Sequence, residues 1–367
     1  MPLFRKSYIR NVPRHRQFPI DLNRSPSVSL SVSIITPTFN RADELDFLIP
    51  SIQAQSFPHE KFEMIIVDDG STDDTERRVK GWQEQVDFSL RYVAQANRGP
   101  GAARNLGMDM ARGELFLFTD SDCEAHPDWV RTIFDTYSSE GFDACGGPDA
   151  SRDDFTPLQR AIDFSMTSFF TTGGLRGHGS RRLARFYPRT HNMAMTRHVY
   201  EKVGGFGGLR HGQDIELSHR IIKSGARIVY VPGAVVYHRR RTSLKHFFRQ
   251  VFNWGVARVN LGRIDRDMLE PLHFVPAVIT LVAFLIVGGF LADPVEYGSI
   301  FELGVGLWLA LAVLGGFKKR SPQVGLYLVA VIPIQVFGYG LGFMMAFVRR
   351  FVLGQGEWTG FTRGYYS

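Results

Sequence analysis

The chain has 367 residues, enough for one large domain or two smaller ones. Its formal net charge is +7, and 44% of its residues are hydrophobic. No aromatic-basic signature of RNA binding is present, so we expect no nucleic-acid partner. The two cysteines, Cys123 and Cys145, make neither a disulfide framework nor a zinc site.

The chain begins with a basic segment that lacks the apolar core of a signal peptide, so we expect the catalytic part to stay in the cytoplasm. From residue 32 onward, short apolar runs alternate with helical patterns. We predict strands over 32–35, 62–67, 90–93 and 115–119, and helices over 43–55, 72–85 (capped by Thr72 or Asp73) and 100–111. This alternation predicts a parallel sheet of βαβ units, in which ligands bind beyond the carboxyl ends of the strands.

Three predicted strand ends carry polar residues: Thr36-Pro37-Thr38, Asp68-Asp69-Gly70 and Asp120-Ser121-Asp122. Residues i and i+2 of a strand point the same way, so both carboxylates of the last segment face one spot if pairing continues past Thr119. Two anions there repel each other unless a cation lies between them. Mg²⁺ and Mn²⁺ suit carboxylates and share their sites with phosphates. The convergence favours a metal–diphosphate site over a solvated turn.

The middle of the chain is less regular. Thr171–Arg185 is rich in Gly and Arg, which fits either a solvated loop or a mobile lid whose arginines meet phosphates. Residues 243–264 predict an amphipathic helix that lies in a membrane interface, with Lys245, Arg249 and Arg258 on its polar face. The alternative is a helix packed on the globular domain.

Three apolar stretches follow, Phe274–Leu291, Ile300–Phe317 and Val324–Val348, each near the length that spans a bilayer. The positive-inside rule agrees with two spans, whereas a third full span puts Arg349-Arg350 outside. Pro333 and neighbouring glycines also allow a re-entrant hairpin. We expect a multi-pass protein of the cytoplasmic membrane that contacts anionic lipids through basic residues beside the spans.

Four motifs together resemble family 2 glycosyltransferases of the GT-A fold, over roughly residues 30–255. They are Val32–Asn40, Val67–Asp73, Asn97–Gly107 and Thr119–Asp122. The resemblance implies inverting transfer of a sugar from a nucleotide sugar, preferably UDP-linked, with Mn²⁺ or Mg²⁺ as cofactor.

The resemblance also implies roles for single residues. Thr36, Pro37 and Thr38 would line the base and ribose pocket, and Asp69 would accept a hydrogen bond from the nucleobase. Arg104 would lie near the donor, Asp120 beside ribose and metal, and Asp122 would ligate the metal.

Further along, the resemblance gives three more positions. Asp214 is the candidate general base, with Glu216 as its competitor and Gln213 standing where Glu is commoner. His238 is either structural or close to the metal or diphosphate. Asn253 stands where processive polysaccharide synthases have Arg in a Gln-x-x-Arg-Trp segment.

We therefore predict an α/β GT-A domain, Rossmann-like with a mostly parallel sheet, followed by an interfacial helix and transmembrane helices. The predicted divisions are an extension (1–30), the catalytic domain (31–242), the interfacial region (243–270), a membrane region of two to three spans (271–350) and a tail (351–367). The predicted acceptor is a lipid-linked or other glycan at the cytoplasmic membrane face. The alternatives are a processive polysaccharide synthase and a catalytically silent membrane scaffold.

Overall fold

The computed structural model describes residues 31–150, 152, 154–168, 186–239 and 242–361. The predicted N-terminal extension and the Gly- and Arg-rich segment Thr171–Arg185 lie outside these residues.

Within the described residues, ten strands form two sheets. They are β1 Val32–Thr38, β2 Phe62–Asp68, β3 Ser89–Ala94, β4 Leu115–Phe118, β5 Cys123–Ala125, β6 Ala144–Gly146, β7 Asp149–Ala150, β8 Met193–Thr196, β9 Ile228–Tyr230 and β10 Val236–His238. The larger sheet has the order β3-β2-β1-β4-β8-β6-β9. All its pairs are parallel except those of β8, which runs antiparallel to β4 and β6. The predicted mostly parallel α/β sheet is confirmed.

Burial on both faces explains why the central strands read as continuous apolar runs. Ile34 and Met64 join the core on one side of the sheet, and Ile35 and Ile65 join the core on the other. The parallel register then brings the polar ends of β1 and β2 to one edge, with Thr38 opposite Asp68.

A second sheet, which was not predicted from the sequence, consists of the three-residue strands β5 and β10 and the two-residue strand β7. β10 lies in its centre, antiparallel to β5 and parallel to β7. The register places His238 opposite Cys123, so a residue late in the domain lies beside the segment that follows β4.

Eleven helices lie within the described part of the chain. They are α1 Ala42–Gln53, α2 Thr75–Gln83, α3 Pro100–Met110, α4 Trp129–Glu140, α5 Pro157–Thr167, α6 Arg197–Val203, α7 Gln213–Lys223, α8 Leu244–Ile264, α9 Val275–Ala292, α10 Pro294–Lys318 and α11 Pro322–Phe347. The predicted cap of α2 is wrong, because Asp74 precedes the helix. Asp73 instead accepts hydrogen bonds from the backbone N–H groups of Thr75 and Ala42, at 3.1 and 3.2 Å.

Helix α8 differs from the prediction in its second half. Lys245 is exposed, but Arg258 is buried, so it does not belong to a polar face. The reason is close packing of α8 on α11, which small residues permit. A Cβ on Gly255 would lie 2.2 Å from the carbonyl oxygen of Tyr339, and one on Gly342 would lie 2.1 Å from that of Phe252.

Three C-terminal helical segments are long and apolar enough to cross a membrane: Pro271–Ala292, Pro294–Lys318 and Pro322–Val352. α11 runs unbroken through Pro333, so the re-entrant hairpin is not the conformation seen. α11 is the most buried of the three, because it packs along both α5 and α8.

Candidate functional site

Two buried threonine hydroxyl groups lie at the carboxyl end of β1. Thr36, Pro37 and Thr38 are buried there. The Oγ1 atoms of Thr36 and Thr38 have no hydrogen-bond partner among the described residues. Buried polar atoms without partners are uncommon in native proteins. The edge is therefore suited to receive a polar ligand.

The carboxylate of Asp69, at the end of β2, organises the neighbouring loop. It accepts hydrogen bonds from Gln95 Nε2 at 2.7 Å and from the backbone N–H groups of Arg98 and Gly99 at 2.8 and 2.7 Å. These bonds fix the start of α3. Because an ionised carboxylate has about four acceptor positions, one remains for a nucleobase N–H.

Asp120 pairs with the arginine that the resemblance places near the donor. Arg104, on α3, donates from Nη2 to Asp120 Oδ1 at 2.5 Å, and the guanidinium lies 5.6 Å from the Phe206 ring centroid. We predicted that the two carboxylates face one spot if strand pairing continues past Thr119. β4 ends at Phe118, so this condition is not met. The two carboxylates therefore have different partners.

Asp122 faces His238, its predicted neighbour at the metal. Asp122 Oδ1 lies 3.3 Å from His238 Nε2. The His191 ring lies 4.8 Å from the His238 ring, and its Nε2 is 3.6 Å from Asp149 Oδ2. We call Asp122, His238, His191 and Asp149 the carboxylate–histidine cluster. Sequence reasoning missed His191 and Asp149.

The cluster has donor groups that suit Mn²⁺. Ligand atoms of Asp149, His191 and His238 lie within 4.8 Å of one another, as do those of Asp122, Cys123 and His238. Burial lowers the pKa of His191, which keeps the ring in the neutral form that binds metals. Burial raises the pKa of the Cys123 thiol, which disfavours the thiolate that would bind. The carboxylate and imidazole groups are then the ligands that the cluster offers to a metal.

Asp214 lies at the start of α7 beside an arginine that sequence reasoning also missed. Arg189 Nη1 donates to Asp214 Oδ2 at 3.3 Å. Glu216 is instead bound to Arg220 through two hydrogen bonds of 2.6 and 2.9 Å, and Arg220 also donates to the loop carbonyl of Gly205. Glu216 therefore holds α7 to the loop at Gly205 through Arg220. Asp214 is then the better placed candidate for the general base.

Gln213 and Asn253, the two departures from the motifs, have structural partners. Gln213 Nε2 donates to the Leu209 carbonyl at 2.5 Å, and a Cβ on Gly101 would lie 2.5 Å from that nitrogen. Asn253 donates to the Phe361 carbonyl at 2.9 Å and accepts from its N–H at 2.8 Å. Asn253 thus fastens the C-terminal tail to α8.

Comparisons with known proteins agree with the fold. Residues 33–211 match the family described as Glycosyl transferase family 2. Glycosyltransferase AglE of Haloferax volcanii is 26% identical over 73% of this chain and 84% of that protein. Glucosyl-dolichyl phosphate glucuronosyltransferase of the same organism is 27% identical over 67% and 79%, respectively. The mannosyltransferase PcManGT of Pyrobaculum calidifontis, solved with GDP-Man and Mn²⁺, superposes with a TM-score of 0.60 at 22% identity, over 88% of this chain and 91% of that one.

The fold and these relatives define a glycosyltransferase of the GT-A fold. Residues 33–211 form its family 2 glycosyltransferase domain.

Proposed function

We propose that this chain is an inverting, metal-dependent glycosyltransferase that moves a sugar from a UDP-linked donor to a lipid-linked or other glycan acceptor at the cytoplasmic membrane face. The carboxylate–histidine cluster carries the proposal, because it lies beside the strand edge where Thr36, Thr38 and Asp69 would receive a nucleoside. PcManGT, which binds GDP-Man and Mn²⁺, supports a nucleotide sugar and a metal. The name of the dolichyl phosphate enzyme supports a lipid acceptor.

The residues divide the chemistry between them. Asp122, His238, His191 and Asp149 would hold a divalent metal, which stabilises charge on the leaving diphosphate when bound. Arg104 and Asp120 would orient the donor. Asp214 would take the proton of an acceptor hydroxyl as the sugar is displaced in a single inverting step. A phosphate acceptor is already anionic and needs no such base.

Substitution of Asp122 tests the metal assignment. We expect Asp122→Asn to reduce release of nucleoside diphosphate by about two orders of magnitude or more, because several kcal/mol of charge stabilisation is lost. EDTA should abolish the wild-type activity, and Mn²⁺ should restore it. Asp267→Asn is the control, since Asp267 is an exposed acid that pairs with Lys223 at 3.4 Å. Equal activity of the Asp122 variant and wild type would refute the assignment.

We also propose a membrane arrangement in which α9 and α10 cross the bilayer and α11 lies along the catalytic domain. Both ends of α11 contact elements that precede the apolar region. Lys319, just before α11, pairs with Asp163 of α5 at 2.9 Å. Just after α11, the Phe351 ring lies 5.5 Å from the Arg263 guanidinium. This arrangement keeps Lys318–Arg320 and Arg349-Arg350 on one side, as the positive-inside rule favours.

Cysteine labelling from either side of the membrane tests this arrangement. Cys123 and Cys145 are buried, so an introduced cysteine can be labelled selectively. With an impermeant maleimide, Gly354→Cys should react from the cytoplasmic side and Val295→Cys from the opposite side. Labelling of both from one side would contradict the two-span arrangement.

A further inference from the structure

Asn192 is a buried amide that joins three separate segments of the chain. The residue directly precedes β8 and is 1% exposed. Its Nδ2 donates hydrogen bonds to the carbonyls of Pro148 at 2.8 Å and Ala234 at 2.7 Å. Its Oδ1 accepts a hydrogen bond from Nε1 of Trp129, the first residue of α4, at 2.9 Å. The amide therefore uses both of its donor hydrogens and its acceptor oxygen.

The segments that Asn192 joins carry three members of the carboxylate–histidine cluster. His191 directly precedes Asn192 in the chain, and Asp149 directly follows the first bound carbonyl. His238 ends β10, which begins two residues after the second bound carbonyl. The two imidazole rings lie 4.8 Å apart, and His191 Nε2 is 3.6 Å from Asp149 Oδ2. The hydrogen bonds of Asn192 thus hold together the backbones that set these distances.

Close packing beside Asn192 leaves the joined loops little room to shift. A Cβ on Gly147 would lie 2.0 Å from the Ala234 carbonyl oxygen and 2.8 Å from Asn192 Nδ2. The backbone of Asn192 takes part as well. Its carbonyl accepts from the Gly147 N–H at 3.3 Å, and its own N–H donates to the Arg189 carbonyl at 2.8 Å.

The side-chain bonds of Asn192 are of two kinds. The two bonds from Nδ2 reach loops that carry cluster residues, whereas the bond to Oδ1 comes from α4, which carries none of them. If the amide served only the stability of the fold, both kinds would matter in the same way. A metal site needs its ligands held to within about 0.5 Å, so the bonds from Nδ2 bear on metal affinity as well.

We propose that Asn192 is a positioning residue for the divalent metal. It acts through three members of the carboxylate–histidine cluster, because it fixes the spacing of the backbones that carry them. The inference rests on the proposed function, which assigns the metal to that cluster. Asp122, the fourth member, is held separately, since its carbonyl accepts from the backbone N–H of Arg239 at 2.9 Å.

Binding of Mn²⁺ to the full chain in nanodiscs tests the proposal. Free Mn²⁺ is measured by electron paramagnetic resonance, with and without UDP. Asn192→Asp keeps the shape of the side chain and the acceptor for Trp129, but it replaces the two donor hydrogens with an oxygen. We expect its Mn²⁺ affinity to fall about 10- to 100-fold, the loss typical of residues that orient metal ligands.

Trp129→Phe is the matched control, because it removes only the bond to Asn192 Oδ1. Both variants should lower the thermal unfolding midpoint in EDTA, since each leaves a buried polar group without its partner. Only Asn192→Asp should lose Mn²⁺ affinity. If Asn192→Asp fails to fold, Asn192→Ser decides, because a single hydroxyl can donate to only one of the two carbonyls.

Three outcomes would overturn the proposal. Wild-type Mn²⁺ affinity in Asn192→Asp would show that the amide serves the fold alone. An equal loss of affinity in Trp129→Phe would show that any weakening of this region has the same effect. Unchanged affinity in Asp149→Asn would place the measured ion outside the cluster.

The same samples separate this proposal from the proposed function. A wild type that binds no Mn²⁺ under either condition refutes the metal-dependent function, and the role of Asn192 falls with it. Wild-type binding that Asn192→Asp retains refutes the role of Asn192 alone. Binding that Asn192→Asp loses, in a chain that transfers no sugar, supports the role of Asn192 and refutes the proposed function.

Discussion

Replacing Asn253 should release the C-terminal tail from α8. The side chain is fully buried and makes two hydrogen bonds to the backbone of Phe361, at 2.9 and 2.8 Å. At about 0.5–1.5 kcal/mol for each bond, Asn253→Ala removes roughly 1–3 kcal/mol of tail docking. That loss raises the open population of the tail roughly 5- to 150-fold.

Hydrogen exchange of the C-terminal peptides measures this opening directly. The amide of Phe361 should exchange faster in Asn253→Ala by the factor given above. Asn253→Asp should have a smaller effect, because it keeps the acceptor oxygen for the Phe361 N–H. Gln250→Ala on the same helix serves as control. Unchanged exchange at residue 361 in Asn253→Ala would show that other contacts, such as the 2.8 Å bond from Asn260 to the Trp358 carbonyl, hold the tail.

Two further predictions concern stability. Gly255→Ala should lower the thermal unfolding midpoint, because the new Cβ would lie 2.2 Å from the Tyr339 carbonyl oxygen. The control Gly304→Ala should leave the midpoint unchanged, because its Cβ would have nothing within 4 Å. Equal midpoints for the two variants would contradict the close packing of α8 on α11. Burial lowers the pKa of His211 to about 4. The unfolded chain, with a histidine pKa of about 6.5, then binds more protons between the two values, so stability falls by up to about 3 kcal/mol as pH drops through that window. Thermal unfolding of His211→Gln should show a weaker pH dependence over the same range, and an identical profile would refute this.

The sheet edge was predictable because its signals are local. β1, β2 and β4 are apolar runs buried on both faces, and each ends in its own polar segment. Once the sheet is parallel, the register alone brings Thr38 level with Asp68.

The carboxylate–histidine cluster was only partly predictable, because it depends on pairing between distant segments. β5 and β10 are three residues each, too short to show a period. Their pairing brings His238 to Asp122, and nothing near Asp149 or His191 in the sequence marks them as partners.

The prediction that Arg258 lies on a polar helix face was wrong for a different physical reason. A helical pattern identifies a polar face on the assumption that one side of the helix meets water. Every residue of α8 from Gly255 to Gly262 is buried, so the same spacing there describes an interior cation.

The short connection from β10 to α8 limits the distance between the candidate site and α8. Only five residues separate His238 from Leu244, the first residue of α8. A fully extended chain of that length spans at most about 22 Å, so the edge that carries His238 cannot move far from α8. If the acceptor is carried on a lipid, as we propose, the sugar would be added close to the lipid anchor.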